Sequence, residues 1–96
     1  MLIIETQIFT KRIQELIPDE EYRLLQAYLV NRPDVGKIIS GSGGLRKLRW
    51  SAGGHGKRGG LRVIYYWVIS QDVLLLLYAY PKSEQDDLTS EQLKQL

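Results

Sequence analysis

Apolar and polar positions recur at two different periods along this chain, and the change of period marks its elements. Phe9, Ile13, Leu16 and Ile17 fall at i, i+4, i+7 and i+8, the stripe of an amphipathic helix that starts at Thr6 or Thr10. Pro18 stops it. Asp19 then suits an N-cap with acids in the first turn, and Tyr22, Leu25 and Leu29, with Leu24 and Tyr28 beside them, predict a second helix ending near Asn31-Arg32-Pro33. Met1–Glu5, a short apolar run before this hairpin, suits an edge strand. Further on the period shortens to two. Leu45–Trp50 reads as a strand with imperfect alternation. Leu61–Ile69 is the clearest strand, with Leu61, Val63, Tyr65, Trp67 and Ile69 on one face and Arg62, Ile64, Tyr66 and Val68 on the other. After a tight Ser70-Gln71-Asp72 turn, Val73–Tyr80 is apolar on both faces, as a central strand is, and Pro81 ends it. Thr89 with Gln92 three residues on forms a capping box for a short last helix, with Leu88 and Leu93 as a hydrophobic staple.

These elements predict an α+β fold in one domain, residues 1–96. The helical hairpin of residues 6–31 lies on one face of a twisted antiparallel sheet made of Met1–Glu5, Leu45–Trp50, Leu61–Ile69 and Val73–Tyr80. Phe9, Ile13, Leu16, Leu25 and Leu29 are the expected core positions on the helices. Ninety-six residues, 44% of them hydrophobic and 25% charged, suit a single small core. The longest apolar run, Val73–Ala79, is of strand length, so no membrane span is expected. MLIIETQIF lacks the pattern of a signal peptide, which points to a cytoplasmic protein. With no cysteine and one histidine, His55, neither a disulfide nor a thiolate or histidine metal site is expected, and no cofactor is implied.

Charge changes the picture more than composition does. The net charge of +2 conceals a basic block: Lys37, Arg46, Lys47, Arg49, Lys57, Arg58 and Arg62 all lie between Gly36 and Gln71, with no acid among them. All nine glycines fall within the same stretch, between Gly36 and Gly60. The acids gather outside it, at 19–21 and 84–91. Such a block attracts a polyanion, and phosphate contacts supply most non-specific affinity for nucleic acid. A solvated basic face is the plainer alternative.

The segment 50–62, WSAGGHGKRGGLR, puts an imidazole and three cations on a glycine-rich connection between two strands. Glycines let a backbone approach a ligand closely, so N–H groups with Lys57, Arg58 and Arg62 could surround a phosphate; an inert hairpin tip is the alternative. A nucleotide-hydrolysing loop is excluded, since GxxxxGK[ST] is absent. Arg62 sits in the apolar row of Ile64, Tyr66 and Val68, where it either snorkels to solvent or holds a guanidinium over a groove. Antiparallel pairing of the last two strands makes Arg62 and Tyr80 neighbours and sets Lys82 at the same sheet edge. Tyr78 and Tyr80 point the same way, so either could be core or a stacking or proton-relay group. His55 has the pKa range of a general acid or base, though a lone loop histidine is commonly incidental. RNA cleavage needs no metal when the substrate's own 2′-OH is the nucleophile and cations stabilise the phosphorane.

The stretches GGLRKLRW, GGHGKRGGLRVIYYW and LLLLYAYPKSEQDDLTSEQLKQL resemble the HigB-type branch of the RelE/ParE superfamily of bacterial toxins. The resemblance covers nearly the whole chain. It implies a RelE-like fold and a metal-independent, ribosome-dependent endoribonuclease that cuts mRNA in the A site and arrests translation. It also implies a cognate, HigA-like antitoxin that binds DNA, so that operator DNA is reached only through the complex of the two. Carried over by position, the site comprises Lys57, Arg58, Arg62, Tyr80 and Lys82. Arg62, Tyr80 and Lys82 are the expected catalytic residues, and Lys47, Arg49, His55, Lys57 and Arg58 the expected contacts to RNA or ribosome. Relatives that use a histidine near the end of the last strand have no counterpart here, where the chain reads Tyr-Ala-Tyr-Pro-Lys, so proton transfer falls to Tyr80, Lys82 or His55. A non-enzymatic inhibitor of DNA gyrase, resembling the ParE branch, is the alternative, and the dense cations argue against it. A generic nucleic-acid-binding module also remains open.

Overall fold

Thr6 turns the chain from strand to helix, because its hydroxyl does two tasks at once. It accepts the Phe9 N–H at 3.1 Å as a helix N-cap and donates to the Leu77 carbonyl at 2.9 Å, tying the cap to the sheet. The computed structural model describes residues 1–51, 60–85 and 87–96. Strand β1 (Leu2–Glu5) precedes this cap and helix α1 (Gln7–Leu16) comes after it; α2 (Asp19–Asn31), β2 (Lys37–Ile38), β3 (Arg46–Trp50), β4 (Leu61–Val68), β5 (Val73–Pro81) and α3 (Ser90–Gln95) come next. Pro18, not Asp19, occupies the α2 N-cap position. Its extended backbone leaves Asp19, Glu20 and Glu21 inside the first turn, where they face the helix dipole.

Among the described residues five strands form one sheet in the order β1-β5-β4-β3-β2. From β2 to β5 each strand is antiparallel to its neighbour, as expected for β3, β4 and β5, while β1 pairs with β5 in parallel rather than antiparallel, from Leu2 opposite Val73 to Glu5 opposite Leu76. The sheet is therefore mixed. Alternation in a four-residue edge strand fixes which face a side chain takes, but not the direction of pairing. Direction is set by the residues after β1: Thr6 must reach Leu76 and Leu77, and α1 must then cross β5, where the Arg12 guanidinium donates to the Ala79 carbonyl at 2.9 Å. The turn between β4 and β5 is one residue longer than expected. Ile69–Gln71 forms a single 3₁₀ turn, and Asp72 closes it in the left-handed region at φ 54°.

The helices cover one face of the sheet. Phe9, Ile13, Leu25 and Leu29 are buried there against Leu48, Val63, Tyr65, Leu74 and Leu76, and Leu16 packs at the margin. A register shift opposite Ile64 and Tyr65 passes over Leu77, so Tyr78 and Tyr80 both turn to the second face, their ring centroids 5.8 Å apart. There Ile64, Tyr80 and Leu45 make a smaller core against Ile39, Tyr66, Leu88 and Leu93. α3 begins with the expected capping box at Thr89 and Gln92, and Leu88 and Leu93 pack together with this second core. Strand β2 was not legible in the sequence. A polar turn closes it, in which the Ser42 hydroxyl donates to the Ile39 carbonyl at 2.6 Å and accepts the Leu45 N–H at 3.0 Å. No helix among the described residues is long and apolar enough to cross a membrane.

Candidate functional site

Strand alternation sorts the basic block onto two faces. Leu45, just before β3, and Lys47 and Arg49 on it share the second face, while Leu48 belongs to the helical core. Pairing then sets Arg49 opposite Arg62 and Lys47 opposite Ile64, and on the far side Arg62 opposite Tyr80. Three cations and a phenol thus occupy neighbouring positions on three adjacent strands. The Arg62–Tyr80 neighbourhood is the one that antiparallel pairing predicts.

Burial differs sharply between these groups. Arg62 is 6% exposed and Tyr80 fully buried, so Arg62 does not snorkel to solvent. Leu88 and Leu93, on either side of the α3 N-terminus, lie with Ile64 and Tyr80 in the second core. The C-terminal stretch therefore forms part of the cover over this face. Gly60 makes room for the guanidinium: a Cβ built there would lie 3.1 Å from Arg62 Nη1. The neighbouring Lys82 is exposed, and its N–H donates to the Gly60 carbonyl at 2.7 Å. That bond closes β5 against the start of β4 and sets Lys82 at the sheet edge from which Arg62 starts. His55, Lys57 and Arg58 lie outside the described residues; the flanks of their segment, Trp50 and Leu61, pair across β3 and β4.

Lys47 has a partner that the sequence did not reveal. Its ammonium bonds the Asp87 carboxylate, forty residues on; the Lys47 side chain is 15% exposed and that of Asp87 69%. The hydrogen bond and charge of Lys47 hold the Asp87 carboxyl below its ordinary range, and Arg49 and Arg62 add to the field. Beside this pair runs a groove of about 440 Å³ lined by Tyr28, Val35, Lys37, Ile38, Ile39, Lys47, Leu48, Arg49 and Asp87. Lys37 pairs directly with Lys47 across β2 and β3. Arg12 is a second group missed from sequence. It bonds both oxygens of Glu84 at 3.1–3.2 Å and lies over the Tyr78 ring, 5.2 Å from its centroid, which fastens the chain after β5 to α1. Its spacing from Phe9 and Leu16 places Arg12 on the margin of the apolar stripe, a signal that was available. Among the described residues no group of three or more His, Asp or Glu side chains could hold a metal ion.

The E. coli toxin RelE, in a variant with two arginines replaced by alanine and in its free state, matches this structure with a TM-score of 0.68. The match covers 99% of this chain and 96% of that one, at 16% sequence identity. The chain has the fold of RelE. At that identity the likeness is one of fold, and no family model matches the sequence. The shared fold agrees with the expected helical hairpin on one face of the sheet and the short helix after the last strand.

Proposed function

We propose that this chain is the toxin of a type II toxin–antitoxin system, of the HigB type, and that it cuts mRNA on the ribosome. The observation that supports this reading best is the row Arg49, Arg62 and Tyr80 on adjacent strands of a RelE-like sheet, with Lys47 and Lys82 beside it. In the proposed step the 2′-OH attacks the neighbouring phosphorus and the 5′-oxygen leaves, giving a cyclic phosphate and a free 5′-OH. One proton leaves the 2′-oxygen and one reaches the departing oxygen. Arg62 and Lys82 hold the phosphate, where oriented cations act on charge that grows in the transition state. Tyr80 moves a proton. Lys47, Arg49, His55, Lys57 and Arg58 hold the flanking RNA or the ribosome. The step as written needs no metal-activated water, because the substrate brings its own nucleophile. Since Tyr80 is fully buried beside Leu88 and Leu93, this role requires the C-terminal stretch to shift when RNA binds.

The proposed partner in the cell is a HigA-like antitoxin that presents acidic and apolar residues to the basic face and carries the complex to operator DNA in the cytoplasm. Primer extension on mRNA from cells expressing the protein tests the enzyme directly. Discrete cuts in phase with codons are expected, and they should vanish when translation is blocked. Growth arrest with intact mRNA would overturn the reading.

A further inference from the structure

We propose that Asp87 is a resident anion of the RNA site, occupying at Lys47 and Arg49 the place of a backbone phosphate that must displace it. The inference rests on the nuclease reading and adds a regulatory element to its site. Its basis is placement. Lys47 and Arg49 alternate onto the same face as Arg62, and the one acidic side chain that reaches this row among the described residues comes from the segment between β5 and α3. That segment is held in place by its own bonds. The Gln85 amide donates to the Asp87 carbonyl at 2.9 Å and to Gln92 Oε1 at 2.8 Å, while Gln92 Oε1 also accepts the Thr89 N–H at 3.0 Å. The α3 cap thus aims the carboxylate at Lys47.

The pair is built to exchange. Lys47 is largely buried along its stem, so its ammonium is a fixed element of the face, whereas Asp87 is exposed and contributes only its carboxylate. Ion pairs with an exposed partner are weak, which lets a phosphodiester compete at small cost. The groove that continues past the pair, with Lys37 and Arg49 on its walls, gives an incoming strand further cationic contacts. The low proton affinity of the Asp87 carboxyl agrees with a site that favours an anion there.

Binding of a short 2′-O-methylated RNA, which cannot be cleaved, to the intact protein tests this without ribosomes. Asp87→Asn should tighten binding about 2- to 5-fold, the range of an exposed ion pair. The slope of log affinity against log salt should steepen by about 0.7, because Lys47 then meets the phosphate with no carboxylate to release. Glu91→Gln, in the first turn of α3, changes net charge equally and controls for it; its effect should be smaller. Should Asp87→Asn bind no more tightly than Glu91→Gln, or more weakly, the proposal falls. In the unaltered protein, the Asp87 carboxyl carbon followed by NMR should titrate closer to its ordinary range once RNA is added. An unchanged titration in saturating RNA would also overturn it. Because cleavage is not the readout, codon-phased cuts with no Asp87 effect would refute this inference alone, and Asp87 displacement without cuts would refute the nuclease reading alone.

Discussion

Tyr65 offers the sharpest test of how the fold sets up the basic face. Its ring is fully buried in the helical core, yet its hydroxyl leaves that core to clamp the chain after α2. The oxygen accepts the buried Gly36 N–H at 2.8 Å and donates to the Pro33 carbonyl at 2.7 Å. Tyr65→Phe removes both bonds and keeps the ring. Each bond contributes about 0.5–1 kcal/mol net, and a buried N–H left without a partner adds about 1 kcal/mol, so the loss should be about 2–3 kcal/mol. In a domain of this size that corresponds to a fall of roughly 10–20 °C in Tm. Gly36→Ala attacks the same clamp from the other side, since a Cβ there would lie 2.7 Å from Tyr65 Cε1 and 2.8 Å from its hydroxyl. Overpacking of this kind costs about 1–3 kcal/mol. Because the hydroxyl accounts for part of the clash, the double variant should be less destabilised than the sum by at least about 0.5 kcal/mol. Urea unfolding of the four proteins measures the cycle. A Tyr65→Phe loss under about 0.5 kcal/mol, or strict additivity, would refute this account of the clamp.

Four further outcomes are expected from named contacts. Gly60→Ala should push the Arg62 guanidinium by a few tenths of an ångström; single-turnover cleavage on the ribosome should fall by at least about tenfold, while stability changes by less than about 1 kcal/mol. Lys82→Ala should lower the cleavage rate by about 10²–10³, by analogy with loss of one oriented donor, with the far-ultraviolet circular dichroism unchanged. Arg12→Ala should cost about 1–3 kcal/mol in urea unfolding, because the bond to the Ala79 carbonyl and the Glu84 pair are lost together. Burial raises the phenol of Tyr65 above 10, and burial with the Glu5 carboxylate raises that of Tyr22. The unfolded chain then releases these protons first, so their contribution is whole below pH 10 and declines as pH rises above it; Tyr22→Phe should flatten that decline in unfolding experiments from pH 9 to 11.

Much of this architecture was legible because single residues signal it locally. Thr6 before an apolar stripe, Pro18 after it, and Thr89 with Gln92 each mark a helix boundary by their own chemistry. The β4–β5 hairpin was legible for the same reason, and with it the Arg62–Tyr80 pair. The features that were not legible depend on distant parts of the chain. The parallel pairing of β1 is decided by a bond from Thr6 to Leu77, seventy-one residues away. Strand β2 has two residues, both exposed, and exists because Gly36 and Arg46 hold it from either side: Arg46 donates to the Asp34 and Gly36 carbonyls at 3.0 and 2.8 Å. The Lys47–Asp87 pair obeys the same rule. A run of acids near a chain's end carries no local sign of which cation it meets.

On the proposed nuclease reading, the burial of Arg62 shapes the chemistry in a way that exposure of the same residue would not. A guanidinium in water attracts a phosphate weakly, because solvent screens the charge. At 6% exposure, on a central strand between Arg49 and Tyr80, Arg62 acts through a medium of lower effective dielectric, and its orientation is set by the sheet and by the space at Gly60. Both features raise the value of a cation to a transition state that gains negative charge, and both need something to exclude water. Leu88 and Leu93, packed with Ile64 and Tyr80, contribute to that exclusion. On the proposed reading, an incoming RNA strand has to replace that cover, and its phosphate meets Lys47 with Asp87 already in place. Asp87 after β5 and Lys47 of β3 therefore offset each other's charge in the fold. A chain with +7 in one stretch and −5 in the rest brings part of that negative charge to the face where a polyanion is expected to bind.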